Sequence, residues 1–167
     1  EENTRAAGGR YAILRTSWVF SEYGLNFVKT MLRLGSQLPE IRVVNDQLGR
    51  PTFAGDIADT INAIICRLEN DNKIPWGLYH LSSQGACSWY DFATAIFDLG
   101  EKAQILTQRP TVLPIPTSEY PTTANRPANS VLCTNKLEKA LGYSLPHWQI
   151  GLDQTCKNLL IESSEKS

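Results

Sequence analysis

Short apolar runs alternate with stretches whose apolar residues recur every three or four positions, and this alternation runs through the first hundred residues of the chain. It constrains the fold more than any other feature, because strand–helix–strand order favours α/β layering over an all-helical or all-strand architecture. Tyr11-Ala12-Ile13-Leu14-Arg15-Thr16 reads as a buried strand that runs on through Ser17-Trp18-Val19-Phe20 to a loop ending at Gly24. Asn26 is placed to cap a helix carrying Phe27, Val28, Met31, Leu32 and Leu34, with Gly35 as its C′ residue. Ile41 to Asn45 is a second strand, and Asp46 to Thr52 has the Gly and Pro punctuation of a loop. Asp56 opens a helix with an apolar stripe of Ile57, Ile61, Ile64, Ile65 and Leu68. Asn70 to Lys73 reads as a turn and Gly77 to Leu81 as a third strand. Ser88 is an N-cap for a helix bearing Trp89, Phe92, Ile96 and Phe97.

From Pro110 the pattern changes. Pro110, Pro114, Pro116, Pro121 and Pro127 predict an extended, irregular segment outside regular elements. A helix capped by Asn135 through Leu137 and Leu141 to Gly142 follows. A last helix over Ile150 to Ile161 ends in a frayed tail, Glu162 to Ser167.

Length and charge narrow the classes. A chain of 167 residues suits one domain with a real core. A net charge of -1 gives no case for nucleic acid or an anionic membrane surface. No apolar run reaches the roughly 18–20 residues of a membrane span, and no secretory pattern opens the chain. The opening Glu1-Glu2-Asn3-Thr4, without Met, leads us to expect a piece of a longer protein. Cys66, Cys87, Cys133 and Cys156 are widely spaced, with no Cys-x-x-Cys pair and no Asn-x-Ser/Thr sequon in the chain. They read as reduced, structural thiols of a cytoplasmic protein.

The search for reactive motifs is largely negative. No Gly-x-Gly-x-x-Gly turn is present to cradle a dinucleotide pyrophosphate, and Gly8-Gly9 precede a strand instead of following one. A Tyr-x-x-x-Lys pair, in which the lysine lowers the tyrosine pKa for proton transfer, is also missing. The residues four places after the tyrosines are Arg15, Phe27, Ser83, Thr94, Ala124 and His147. There is no His-Glu-x-x-His and no Gly-x-Ser-x-Gly. His80 lies in an apolar strand and reads as a satisfied core histidine. His147, between Pro146 and Trp148, reads as a surface or packing residue.

Six segments, in order along nearly the whole chain, carry a resemblance. They are Leu14-Arg15-Thr16-Ser17-Trp18-Val19-Phe20, Asn26 to Leu32, Asp46-Gln47-Leu48-Gly49-Arg50-Pro51-Thr52, Gly77 to Leu81, and Ser88-Trp89-Tyr90-Asp91-Phe92-Ala93. The sixth joins Tyr120-Pro121-Thr122 to Arg126-Pro127-Ala128-Asn129-Ser130. Together they resemble the dTDP-4-dehydrorhamnose reductase family of extended short-chain dehydrogenases/reductases.

The resemblance implies an α/β chain, 1–167, that is the C-terminal part of an NAD(P)-binding Rossmann fold. Residues 11–20 and 77–82 would be two late strands of that fold, joined to the small α/β substrate-binding domain, with the cofactor domain and catalytic Thr/Tyr/Lys group upstream. It implies reduction of the 4-keto group of a dTDP-sugar with NADPH or NADH in dTDP-rhamnose biosynthesis, and that this portion alone is inactive. The alternative is a non-catalytic regulatory relative, like the methionine adenosyltransferase regulatory subunit, that binds an enzyme partner; a generic α/β interaction module is a third reading.

By the same resemblance, Trp18 contacts the sugar, by its aromatic face or its indole N–H, against core packing as the other reading. Ser17 and Val19 pass near the nicotinamide. Arg126 would fork onto the diphosphate, against a solvated surface arginine. Asn129 and Ser130 bind nearby or close a turn; Gln47 and Arg50 approach the nucleotide or serve the loop; Asn26 faces phosphate or is only a cap. Some relatives dimerise around Mg2+ held by glutamates, one of which would fall at Gly55, beside Asp56. That departure weakens a metal-bridged dimer. Sheet edges left uncovered leave open a homodimer, exchange of elements, or poor association.

Overall fold

The computed structural model describes residues 1–69, 75–120 and 126–164. A short helix, α1 (Glu2–Ala6), leads to β1 (Ala12–Arg15) and β2 (Val19–Phe20). Next come α2 (Phe27–Gly35), β3 (Glu40–Val44), β4 (Leu48–Gly49), β5 (Thr52–Phe53) and α3 (Ala54–Glu69). The chain continues through β6 (Gly77–His80), β7 (Cys87–Ser88), α4 (Trp89–Lys102) and β8 (Thr111–Ile115). It closes with α5 (Asn135–Leu141) and α6 (Trp148–Ser164).

The strands pair far from their sequence neighbours. Among the described residues, β1 runs parallel to β6, with Ala12 opposite Gly77 and Arg15 opposite His80. β2 pairs with β5 and β3 with β8, both parallel, while β4 and β7 are antiparallel. Parallel pairs need crossover connections, and helices supply that role in α/β chains. The chain is thus α/β, with the alternation of the first hundred residues realised as parallel ladders.

Two cores form. The larger packs Val28, Met31 and Leu32 of α2 and Phe92, Ile96 and Phe97 of α4 with Ile41 and Val43 of β3 and Leu152 of α6. The smaller gathers Ile64, Tyr79, Leu81, Leu137, Leu141 and Leu145 around α3, β6 and α5. Helix ends are fixed by local chemistry. The Ser88 hydroxyl accepts from Asp91 N–H while the Asp91 carboxylate accepts from Ser88 N–H, a reciprocal capping box. Gly142, at φ 72°, closes α5 in the left-handed conformation.

Several sequence expectations change. Gly35 is not a C′ residue: it is the last residue of α2, and a Cβ there would lie 2.7 Å from Phe97 Cε1, so its smallness serves packing. The stretch from Asp46 to Thr52 is not wholly loop, since Leu48–Gly49 forms β4 and Thr52 begins β5. The α3 stripe is incomplete: Ile64 is buried, but Ile61 and Ile65 are 42% and 47% exposed. Pro114 sits inside β8, exposed and opposite Val43, where a two-stranded ladder leaves an outer edge that needs no donor. Thr134, not Asn135, is the N-cap residue of α5. α6 begins at Trp148, earlier than expected, and runs to Ser164. His80 is half-buried, not a core residue, with Nδ1 3.2 Å from the Cys133 carbonyl. The Asn70–Lys73 turn, Pro121-Thr122 and the last tail residues lie outside the described residues.

Candidate functional site

A cleft of about 240 Å3 opens between α2 and β3. Phe27, Thr30, Met31 and Leu34 of α2 form one wall, and Arg42, Val43 and Val44 of β3 form another. Gln47, Trp89, Tyr120 and Arg126 complete it. The two walls follow from periodicity: α2 turns its other side into the core through Val28 and Leu32, and β3 alternates, sending Ile41 inward and Arg42 outward.

One clasp sets the mouth. Thr117 N–H donates to the Asp46 carboxylate at 2.9 and 3.0 Å, and its hydroxyl donates to Asp46 Oδ1 at 2.6 Å. The Thr117 hydroxyl, then the backbone N–H, holds the Asp46 carboxyl below its ordinary range. Gln47, 7% exposed, donates from Nε2 to Thr117 Oγ1 at 3.0 Å. This ties the 3-10 turn Thr117–Glu119, and Tyr120 after it, to the end of β3.

The two guanidiniums differ. Arg42 is ion-paired with Glu119. Arg126 is exposed and has no ion-pair or hydrogen-bond partner among the described residues, so its charge is available to a ligand. Among the described residues, no Asp, Glu, His, Cys or Lys lines the cleft. It therefore has the means to bind a molecule with a flat aromatic part and an anionic part, and the Tyr120 phenol is its one side chain that can give up a proton among the described residues. Among the described residues no cluster of His, Cys, Asp and Glu could hold a metal ion. A side chain at Gly55 would meet the Phe53 ring, with Cδ1 and Cζ both 3.0 Å from a Cβ, and Asp56 accepts from Ser83 Oγ at 3.2 Å; these residues do not fit a glutamate-held Mg2+.

Of the residues singled out in the sequence, Gln47 and Arg126 line the cleft. Trp18 adjoins it through Trp89, against which its indole stacks at 3.6 Å between ring centroids. The other face of Trp18 lies against Gly49, where a Cβ would stand 2.5 Å from Cζ2. Both faces of the Trp18 indole are therefore occupied by protein, which leaves no open face for a stacked sugar.

The remaining residues are not brought to the cleft. Asn26 is a cap: its Oδ1 accepts from Lys29 N–H at 3.3 Å, and its amide donates to the Ser21 and Tyr23 carbonyls. Those bonds engage both ends of its side chain. Asn129 Oδ1 accepts from Val131 N–H at 2.9 Å, the turn-closing reading, while Leu48 and Ser130 bond across the adjacent bridge. Arg50 reaches Thr134 Oγ1 at 3.5 Å, and its Nε is buried without a partner. Ser17 donates to the Arg50 carbonyl at 3.0 Å, and Val19 is 44% exposed beside Thr52.

Sequence reasoning missed Arg42, Phe27 and Tyr120, and read Trp89 as helix stripe. The alternation of β3 was the available signal for Arg42. For Trp89, the signal was its place at the first helical position, where a side chain clears the helix body.

Fold and site together define an α/β chain of parallel strand pairs with a charged, aromatic-walled cleft. Residues 1–161 match the family model described as the RmlD substrate binding domain, and the chain belongs to that family. It is 46% identical over 140 residues to dTDP-4-dehydrorhamnose reductase of Aggregatibacter actinomycetemcomitans, covering 84% of this chain and 48% of that protein. Its fold matches the crystal structure of the Clostridium acetobutylicum dTDP-4-dehydrorhamnose reductase with a TM-score of 0.81, at 36% identity over 95% of this chain and 52% of that one. The Bacillus anthracis dTDP-4-dehydrorhamnose reductase, solved in complex with NADP, gives 0.78 at 37% identity, over 92% and 50%. The chain spans about half the length of the curated relatives it matches.

Proposed function

We propose that this chain is the sugar-nucleotide-binding portion of a reductase that converts dTDP-4-dehydro-L-rhamnose to dTDP-L-rhamnose with NADPH or NADH. The carrying observation is Arg126, without a partner among the described residues, at an aromatic-walled cleft in a chain whose relatives bear that reductase's name. In this reading Arg126 takes the diphosphate, Phe27, Trp89 and Tyr120 pack the base, and Trp18 reaches the sugar. β1 and β6 would be late strands of the Rossmann sheet that the rest of the polypeptide completes. The chain's own residues do not fit a dinucleotide: it has no Gly-rich strand-to-helix turn and no Tyr-x-x-x-Lys pair. Those parts, and the hydride chemistry, belong to the rest of that polypeptide in this reading. The relatives' names give the regulatory alternative no support.

The working compartment in this proposal is the cytoplasm, supported by the reduced thiols of Cys87 and Cys156 buried in the core; no helix among the described residues is long and apolar enough to cross a membrane. The exposed Ile61 and Ile65 of α3 support a homodimer, which sedimentation would read. The direct test is calorimetric titration of the protein with dTDP and with thymidine. A charge-assisted contact contributes about 1.5–3 kcal/mol, so Arg126→Ala should weaken dTDP about 10- to 100-fold and leave thymidine unchanged. Equal dTDP affinity in both proteins, or no reduction of the keto-sugar by the complete polypeptide, would refute the proposal.

A further inference from the structure

Four consecutive residues after β3 hold the chain that completes the cleft. Asn45 N–H donates to the Ile115 carbonyl at 3.0 Å, extending the β3–β8 ladder by one bond. Pro116 comes next and has no N–H to give. The following backbone donor, Thr117 N–H, goes to the Asp46 carboxylate at 2.9 and 3.0 Å. The Thr117 hydroxyl works as a relay: it donates to Asp46 Oδ1 at 2.6 Å and accepts from Gln47 Nε2 at 3.0 Å. Leu48 N–H then donates to the Ala128 carbonyl at 2.8 Å, and the Leu48 carbonyl accepts from Ser130 N–H at 2.8 Å.

Thr117 and Ala128 are thus the two feet of one stretch, both planted on residues 45–48. That stretch carries Tyr120 and Arg126, two of the side chains that line the cleft. Its near foot also carries Glu119, ion-paired with Arg42 of β3. These bonds are not what builds the core, since Asp46 and Thr117 are exposed while Ile41, Val43 and Ile115 are buried. Their effect is on placement. A long guanidinium side chain and a phenol ring meet a ligand at lower ordering cost when the backbone beneath them is already fixed.

We propose that Asp46 and Gln47 are positioning residues that act through Thr117 to hold Tyr120 and Arg126 against the α2 wall of the cleft, and so set the affinity for the nucleotide part of the substrate. This deepens the sugar-nucleotide reading above and rests on it. Neither residue touches the ligand in this role. Asp46 supplies charge-assisted acceptance to a backbone N–H and a hydroxyl, and Gln47 fixes that hydroxyl from its other side.

The experiment uses the complete reductase polypeptide with Thr117→Val, Thr117→Ser and Asp46→Ala, each with and without Arg126→Ala. Thr117→Val keeps the shape and the backbone N–H but removes the hydroxyl relay. It should weaken dTDP about 10-fold in calorimetric titration and thymidine by a smaller factor, through Tyr120. That second loss separates it from Arg126→Ala, which leaves thymidine unchanged. Asp46→Ala, which breaks the same contacts from the other side, should match it, and Thr117→Ser should restore binding. In turnover, KM for the keto-sugar nucleotide should rise with kcat within about twofold, because the removed contacts orient the nucleotide and not the reacting carbon. Combined with Thr117→Val, Arg126→Ala should fall at least about fivefold short of multiplying the two single losses, since a misplaced arginine has less to lose. Urea midpoints close to that of the unsubstituted protein would accompany these changes.

Losses that multiply would overturn the action through Arg126. Equal binding by Thr117→Val and the unsubstituted protein, or equal losses in Thr117→Val and Thr117→Ser, would overturn the relay. A fall in kcat at unchanged KM would also count against it. If the unsubstituted protein binds neither dTDP nor thymidine, the sugar-nucleotide reading fails and this inference fails with it. If it binds both, Arg126→Ala weakens dTDP and the Thr117 and Asp46 variants match the unsubstituted protein, this inference fails alone.

Discussion

Replacing Gly35 by alanine separates close packing from helix propensity, because the two act in opposite directions. In a helix interior the change favours folding by up to about 1 kcal/mol, and less at Gly35, the last residue of α2. Against this, the new Cβ would lie 2.7 Å from Phe97 Cε1 and 3.1 Å from Cδ1, with Pro110 Cγ at 3.4 Å. Phe97 is fully buried among core side chains, so its ring has nowhere to retreat without moving α2 away from α4. Overpacking of this kind costs about 1–3 kcal/mol, and the net expectation is a loss of about 1–2 kcal/mol. Gly100 on α4 is the control. A Cβ there meets Leu32 Cδ2 at 2.6 Å, the end of a side chain able to turn, and the position is well inside the helix. Gly100→Ala should therefore fall within about 0.5 kcal/mol of the unsubstituted protein. Urea unfolding with a common slope should show the midpoint lowered for Gly35→Ala and nearly unchanged for Gly100→Ala. If Gly35→Ala proves as stable as the unsubstituted chain, or the two variants fall in the reverse order, the packing argument is wrong.

Glu138 accepts from Thr134 Oγ at 2.6 Å and from Gln84 Nε2 at 2.7 Å; chiefly the Thr134 bond holds its pKa below the ordinary carboxylate range. A depressed carboxylate stabilises above its unfolded pKa and loses that contribution as pH falls through the folded one. Glu138→Gln should therefore be less stable than the unsubstituted protein near neutral pH, with the difference shrinking as the medium is acidified, as urea midpoints at several pH values would show. Burial raises the Cys87 thiol to about 12 and the Cys156 thiol to about 11, while Cys66 and Cys133 are exposed. A thiol reagent should label Cys66 and Cys133 in the native protein and reach Cys87 and Cys156 only after unfolding; mass-mapped labelling of Cys87 under native conditions would contradict the packing around it.

The elements legible in the sequence were those set by local chemistry. Asn26, Ser88 and Gly142 act within a turn of their own position, and the structure uses each as a helix terminus. The parts that escaped depend on distant partners. Gly35 has the composition of a helix stop, yet its conformation is helical and its reason is Phe97, far along the chain. Ile61 and Ile65 fit the helical period, but periodicity cannot say whether anything covers the stripe.

The candidate site divides along the same line. Arg126 and Gln47 were reached through a motif, whereas Arg42 follows only from the register of β3. Trp89 shows the mechanism of the miss. At the head of an amphipathic helix, a tryptophan in step with Phe92 and Ile96 reads as core. The fold keeps it against that core beside Phe27 and Phe92 and adds a second neighbour, because the β4–β7 pairing carries Gly49 to the same place and Trp18 lies between them. A residue's helical phase reports which side of its own helix it occupies; its role is decided by what a non-local strand pair brings to that side. For the same reason Trp18, whose sequence context left both indole faces open, has them covered by two residues distant from it in sequence.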